Sequence, residues 1–127
     1  MGCDRCGADT VVLAVPDSVE GDRIEVCTLC LSVEETADPT AGSPQMISAA
    51  LPAESDQAVP VLLLVDALTS IATNRSRIET LVERGERAGC DPLLVIDRLI
   101  DDTSLDPAVD LPRRRHQLED ILILSRS

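Results

Sequence analysis

The sequence predicts an α+β protein: a small N-terminal four-cysteine hairpin followed by a C-terminal three-helix unit. Two observations carry this prediction. Two cysteine pairs flank two apolar runs near the N-terminus, and from Pro60 onward apolar residues recur with the period of a helix. The residues between these regions are rich in Ala, Ser, Pro and acidic residues and lack a sustained period. We therefore divide the chain into a hairpin unit at 1–31, a linker at 32–58 and a helical unit at 59–127.

The hairpin is predicted from strand and turn signals. The apolar runs VVLAV at 11–15 and IEV at 24–26 favour strands, and the residues PDS and EGD between them favour a turn. Each run lies beside a cysteine pair, so pairing the strands brings the two cysteine pairs together. In the linker, the apolar segment MISAAL at 46–51 is suited to lie across a neighbouring surface as a short helix or an extended strap.

The helical unit is predicted to contain three helical segments. The apolar stripe from Pro60 to about Gly89 indicates one long helix or two nearly collinear ones, about 45 Å in length at about 1.5 Å per residue. Gly89 suits a left-handed C-terminal cap. Asp91, followed by a proline, suits the N-cap of a second helix, and a third begins near Asp110. A stripe this long predicts that the hairpin unit, the 46–51 segment or a second chain covers part of it.

The four N-terminal cysteines predict a metal site. They follow the spacing C-x2-C-x20-C-x2-C, in which each pair forms a tight turn that aims two thiolates at one ion. Gly7, directly after the first pair, allows the close turn. Four thiolates leave no open position for water, so we expect one structural Zn²⁺ per chain, bound by Cys3, Cys6, Cys27 and Cys30.

Other uses of the four cysteines stay open at this point. An iron centre takes the same ligand set, and a redox or metal-free role is a further alternative. A disulfide framework is disfavoured because no export signal precedes the cysteines. The fifth cysteine, Cys90, and the single histidine, His116, have no partner constellation in the sequence, so we interpret Cys90 as a small buried apolar residue.

The charge of the chain restricts its partners. There are 23 acidic and 11 basic residues, a formal net charge of −12, and every basic residue is an arginine. Such a surface repels nucleic acids and anionic membranes at long range. The excess of short carboxylates and the absence of lysine indicate a halophilic source, where concentrated salt screens self-repulsion. No targeting or membrane-spanning segment is visible, so we expect a cytoplasmic protein without a membrane partner.

The only basic cluster lies at Arg113, Arg114, Arg115 and His116. It suits a contact with nucleic acid or another anion, or alternatively a solvated helix face on which Arg115 pairs with Glu119. No catalytic motif of a hydrolase, nucleotide-binding or metalloprotease type occurs, so we predict no enzyme.

These residues together resemble a known family. The CxxCG and CxxC pairs, AVPVLLLVDAL at 58–68, NRSRIETLVERGERAGCDPLLVIDRLIDD at 74–102 and LDPAVDLPRRRHQLEDIL at 105–122 resemble an uncharacterised family of small haloarchaeal zinc-ribbon proteins. The resemblance implies a haloarchaeal source and a zinc site at the four N-terminal cysteines. It implies no activity, substrate or partner. One departure from common ribbons is that Leu31, rather than glycine, follows the second pair.

The sequence thus favours a non-enzymatic, zinc-binding interaction or regulatory module of a halophilic archaeon. We expect a protein partner, because the chain has no aromatic residue on which a base can stack. An apolar patch around Leu29 and Leu31 is a candidate contact, and a homodimer stays open. The alternative function is a nucleic-acid-binding regulator that uses the ribbon and the cluster from Arg113 to His116. A third is a thiol-redox or metal-handling protein.

Overall fold

The N-terminal part of the chain is a small antiparallel sheet. A computed structural model describes residues 2–15, 23–38, 42–107 and 109–126. The strands are β1 (Thr10–Ala14), β2 (Arg23–Cys27) and β3 (Val33–Thr36). The strand order is β1-β2-β3, with Leu13 opposite Ile24 and Val26 opposite Val33.

The third strand was not expected. Residues 33–36 fall in the segment that the sequence analysis assigned to the linker, yet they pair along the free edge of β2. Only Val33 and Thr36 in this strand have strong strand preference, while Glu34 and Glu35 are exposed acidic residues of the kind that protects a sheet edge. Strand pairing, rather than local preference, explains this element.

In the part of the chain that the structure describes, four α-helices and two short 3-10 turns follow the sheet. The α+β class with an N-terminal four-cysteine sheet is confirmed, and the helices are grouped in three segments. The first segment contains two of the helices, joined by the 3-10 turn Leu68–Ser70. The helices are α1 (Ser55–Ala67), α2 (Ile71–Arg87), α3 (Pro92–Asp101) and α4 (Leu111–Arg126).

The expected long or collinear helix is wrong, because the chain reverses between α1 and α2. Nε2 of Gln57, in the first turn of α1, donates a hydrogen bond of 2.9 Å to the carbonyl of Ala88 at the end of α2. In a straight helix, residues 31 positions apart would lie about 45 Å from each other. Ser70 leaves the helical region at φ −145° and ψ 81°, and Asn74 Nδ2 closes the turn on the carbonyl of Ala67 at 3.1 Å. The two helices therefore pack as an antiparallel hairpin.

Helix α1 is the central element of the core. Eight of its side chains are buried, including the consecutive pairs Val61-Leu62 and Leu64-Val65. A helix that is apolar on most sides needs neighbours on most sides, and α1 contacts the sheet, α2 and α3. One continuous apolar cluster includes residues from the sheet and from all four helices. The apolar stripe that begins at Pro60 is thus covered largely by the packing of α1 against α2 and by the sheet.

The segment between the sheet and α1 also packs on this core. Ile47 and Leu51 are buried, and Ser48 Oγ donates a hydrogen bond of 2.5 Å to a carboxylate oxygen of Asp102 at the end of α3. Ser48 is 5% exposed, so this bond satisfies a polar group in the interior. The 46–51 segment therefore fastens one side of the sheet to the helices.

Two predicted helix ends are confirmed. Gly89 has φ +95°, the left-handed conformation expected after α2. The carboxylate of Asp91 accepts the amides of Leu93 and Leu94 at 3.1 and 3.3 Å, as an N-cap does.

The segment Ser55–Arg87 is long and apolar enough to cross a membrane by length and composition alone, but half of its apolar window is buried within the fold. The chain reversal between α1 and α2 divides this segment into two helices of 13 and 17 residues. Its apolar residues form the core described above.

Candidate metal centre

The first cysteine pair lies in a tight turn before β1. The amide of Gly7 donates to the carbonyl of Cys3 at 2.8 Å, and the amide of Cys3 donates to the carbonyl of Ala8 at 2.7 Å. Gly7 has φ +77°, a conformation that a residue with a side chain adopts only with strain. The glycine thus lets the backbone fold back while the thiols of Cys3 and Cys6 point to the same side.

The second pair forms a matching turn at the end of β2. The amides of Leu29 and Cys30 both donate to Sγ of Cys27, each at 3.4 Å. The following residue, Leu31, has φ +62°, so a leucine occupies the left-handed position where common ribbons have glycine. Leu31 therefore has a backbone conformation that glycine adopts without strain.

The four sulfur atoms form one compact cluster. They all lie within 4.8 Å of one another, with Cys3 to Cys30 at 3.6 Å and Cys6 to Cys27 at 3.4 Å. A tetrahedral site with Zn–S bonds of about 2.3 Å has sulfur atoms about 3.8 Å apart, which is close to these separations. All five cysteines of the chain are free thiols, and the sulfur separations exceed the S–S bond length of about 2.05 Å. The donor set is thus able to hold a metal ion.

The thiols differ in their surroundings. Hydrogen bonds lower the pKa of Cys3 to about 6. The bond with the Ser32 hydroxyl has the largest effect, and the bonds from the backbone amides of Cys6 and Arg5 come next. Burial raises the pKa of Cys27 to about 12. A buried thiol ionises only when a positive charge compensates its thiolate, and a bound cation supplies that charge. Hydrogen bonds thus favour the thiolate form of Cys3, whereas burial disfavours the thiolate form of Cys27.

Ser32 is a neighbour of the cluster that the sequence analysis missed. Its Oγ lies 3.3 Å from Sγ of Cys3 and 3.2 Å from Sγ of Cys30. Its single proton can be donated to one of these sulfurs at a time, and such a bond stabilises the negative charge of that thiolate. The sequence feature that could have identified Ser32 as a neighbour of the cluster is its position two residues after Cys30.

The second turn is anchored in the helical unit. Leu31 is 1% exposed and belongs to the common apolar core, so the expected exposed patch around Leu29 and Leu31 is wrong at Leu31. The carbonyl of Leu29 accepts the amide of Asp106, in the loop between α3 and α4, at 2.8 Å. The cysteine turn is therefore part of the same packed structure as the helices.

The basic cluster at the start of α4 does not form a single face. Arg115 forms an ion pair of 2.8 Å with Asp97 on α3 and a second one with Glu119. Nη1 of Arg114 donates to Oε1 of Gln117 at 3.2 Å. Arg113 and His116 are exposed. The positive charge that this cluster offers to a ligand is thus reduced by the role of Arg115 in joining α3 to α4.

The fifth cysteine lies apart from the cluster. Cys90 is half-buried between α2 and α3, and its thiol donates to the carbonyl of Gln57 at 3.7 Å. Burial, with the nearby carboxylates of Asp91 and Glu86, raises its pKa. Cys90 is therefore a half-buried packing residue whose thiolate form is disfavoured.

The fold and the cysteine cluster define a small α+β protein with a four-thiol, ribbon-like site that is able to hold a metal ion. The chain belongs to a family of unknown function, DUF6276, whose sequence model matches residues 2–122. The resemblance to an uncharacterised family is thereby confirmed. No curated protein and no solved structure matches the chain.

Proposed function

We propose that this chain is a non-enzymatic, zinc-stabilised interaction module from a halophilic archaeon that recognises another protein in the cytoplasm. The observation that carries the proposal is the cluster of four thiols within 4.8 Å of one another. Four thiolates complete the tetrahedral shell that zinc prefers, so the ion has a structural role and no site for a substrate. The backbone amides and Ser32 around the sulfurs are the outer neighbours that such a site requires.

The surface beside the cluster supports a cation. A cleft of about 450 Å³ reaches Cys3 and Cys27 and is lined by the carboxylates of Asp4, Glu25 and Glu34. Carboxylates near a site raise the local concentration of cations. Zinc is favoured over calcium or magnesium because the ligand atoms themselves are soft thiolates.

The choice of a protein partner rests on charge and composition. The net charge of −12 opposes binding to nucleic acid, and the chain lacks the aromatic side chains that stack on bases. The ion pairs of Arg115 with Asp97 and Glu119 further weaken the only basic cluster. Apolar side chains exposed at the surface, such as Leu94 and Leu124, suit contact with a protein.

The metal proposal is tested by elemental analysis of untagged protein purified in multimolar KCl. We expect one zinc per chain in the natural protein, its loss in a Cys27→Ser variant, and its retention in Cys90→Ser, which removes the thiol outside the cluster. Thiol titration should find one accessible cysteine in the natural protein and more after treatment with a chelator. Stoichiometric iron, or metal-free protein with an intact sheet, would contradict the proposal.

The partner proposal is tested by titration with single- and double-stranded RNA and DNA in multimolar KCl. We expect no binding at micromolar concentration. The variant for comparison is Arg113→Ala with Arg114→Ala, because it removes two charges of the cluster and leaves the ion pairs of Arg115 intact. Micromolar binding by the natural chain that this variant loses would replace our proposal with a nucleic-acid-binding regulator.

A further inference from the structure

An open groove of about 630 Å³ lies between the start of α2 and one face of α4. Its lining is mainly polar and charged, with Ile71, Ala72 and Arg75 on the α2 side and the largely buried Ile121 on the α4 side. Further along α4, the side chains of Ile123 and Leu124 are 60% and 67% exposed. A mostly polar groove next to exposed apolar residues at a helix end suits a protein interface whose specificity comes from charge.

The charges along the α4 wall are arranged symmetrically. Arg114, Gln117 and Asp120 all line the groove and are spaced three residues apart. Gln117 lies midway between the positive and the negative side chain. If two copies of α4 pack antiparallel with their Gln117 residues at the centre, each Arg114 therefore lies opposite Asp120 of the other copy. A parallel arrangement would instead place Arg114 against Arg114.

We propose that a second copy of this chain occupies the groove, with the two α4 helices antiparallel about a two-fold axis at Gln117. The arrangement forms the Arg114–Asp120 ion pair twice, because the same patch serves both copies. The α4 helix of each copy also lies against Ile71 and Ala72 of the other. The charge pattern, which complements itself, thus selects the dimer, and burial of Ile71 and Ala72 adds a smaller apolar contribution.

This inference goes beyond the proposed function and does not depend on the metal centre. Two chains with a net charge of −12 each repel at long range, so dilute salt opposes the dimer. At 1 M salt the screening length is about 3 Å, which removes the long-range repulsion while side chains in direct contact still attract. We therefore expect a dimer in concentrated KCl that dissociates as the salt is diluted.

The test is a charge exchange measured by sedimentation equilibrium in multimolar KCl. Interference optics are needed because the chain has no tryptophan, tyrosine or phenylalanine. Arg114→Asp places aspartate against Asp120 twice, and Asp120→Arg places arginine against Arg114 twice. Each variant alone should weaken the homodimer about tenfold, given about threefold for each of the two reversed contacts. An equimolar mixture of the two variants should recover the dimer, because every facing pair is then opposite in charge.

Matched controls are Arg98→Asp and Asp101→Arg, which make the same exchanges at exposed positions of α3 outside the groove. We expect both control variants to dimerise like the natural chain. Zinc content and far-UV circular dichroism of each variant separate a failure of the interface from a failure of the metal site or the fold. A natural chain that stays monomeric up to millimolar concentration, single variants that dimerise as tightly as the natural chain, or a mixture that does not recover the natural affinity would each overturn the proposal.

Discussion

The left-handed residue after the second cysteine pair gives a sharp test of the structure. At most positions alanine stabilises a fold more than glycine, by about 0.5–1 kcal/mol, because glycine loses more backbone entropy on folding. Leu31 has φ +62°, where a residue with a β-carbon carries a strain of about 1–2 kcal/mol and glycine carries none. We therefore expect the usual preference for alanine over glycine to be reduced or reversed at this position.

The magnitude is best measured against a second buried leucine. Leu31 is 1% and Leu13 is 0% exposed, so replacing either one by alanine removes a core side chain and costs about 2–5 kcal/mol. Leu13 lies in regular β1, and its backbone is unstrained. The loss of the β-methyl on going from alanine to glycine is common to both sites and cancels. Relative to alanine, glycine should therefore be about 1–2 kcal/mol more favourable at Leu31 than at Leu13.

The assay is urea unfolding of the four variants, each as purified with its metal content measured, in constant KCl. Unfolding is followed by far-UV circular dichroism because the chain contains no aromatic residue. With an m-value of about 1.5 kcal/mol per M urea, the expected difference between the two sites is about 1 M in unfolding midpoint. Metal analysis of each variant confirms that the neighbouring site is still loaded. An equal glycine-to-alanine difference at the two positions would refute the strain argument.

Three further predictions concern charge. Burial raises the pKa of Asp66 in the fold, partly offset by Arg77 and Arg5, so its charged form destabilises the protein at neutral pH. Asp66→Asn should increase thermal stability at pH 7, and the gain should disappear as pH falls below the pKa of an unfolded aspartate, about 3.9. Asp91→Ala removes the N-cap of α3 and should cost about 1 kcal/mol in urea unfolding, whereas Asp101→Ala, at the other end of the helix, should not. The melting temperature of the natural chain should rise from low to multimolar KCl, because salt screens the self-repulsion that results from a net charge of −12. Equal melting temperatures would contradict the proposed halophilic origin.

The sequence contained enough information to bring the four cysteines together. Two pairs with two-residue spacing, separated by two strands, have few ways to fold that do not bring their sulfurs together; the turn predicted at 16–22 lies outside the described residues. Gly7 marked the first turn because a glycine after a CxxC pair permits a positive φ. No glycine identifies the second turn in the sequence. Leu31 holds its positive φ while buried in the core, and the sequence alone does not show that packing.

The reversal between α1 and α2 was out of reach for a related reason. Its turn, Leu68–Ser70, contains no glycine or proline, and the apolar stripe continues through it from Val65 to Ile71 without a change of period. A stripe of this kind suits a long helix and a helix hairpin equally well. The difference lies in packing: α1 is apolar on nearly every side and needs α2 beside it, and this requirement is visible only when the whole core is assembled.

The third strand shows the same limit on a smaller scale. Val33 to Thr36 is half acidic and follows a cysteine turn, so its composition matched the linker that comes after it. It becomes a strand because β2 has an unpaired edge and the turn at Cys30 delivers the chain to that edge. Local preference identified β1 and β2, and tertiary pairing added β3.

The hydrogen bond from the amide of Asp106 to the carbonyl of Leu29 makes the cysteine turn observable from a distance. Asp106 is far from the cysteines in sequence, in the loop before α4, but its amide is shielded from solvent exchange only while the Cys27–Cys30 turn keeps its shape. The exchange rate of this single amide therefore measures how often the Cys27–Cys30 turn opens. Asp106 is not one of the four clustered cysteines, so this rate can be followed without altering any of them.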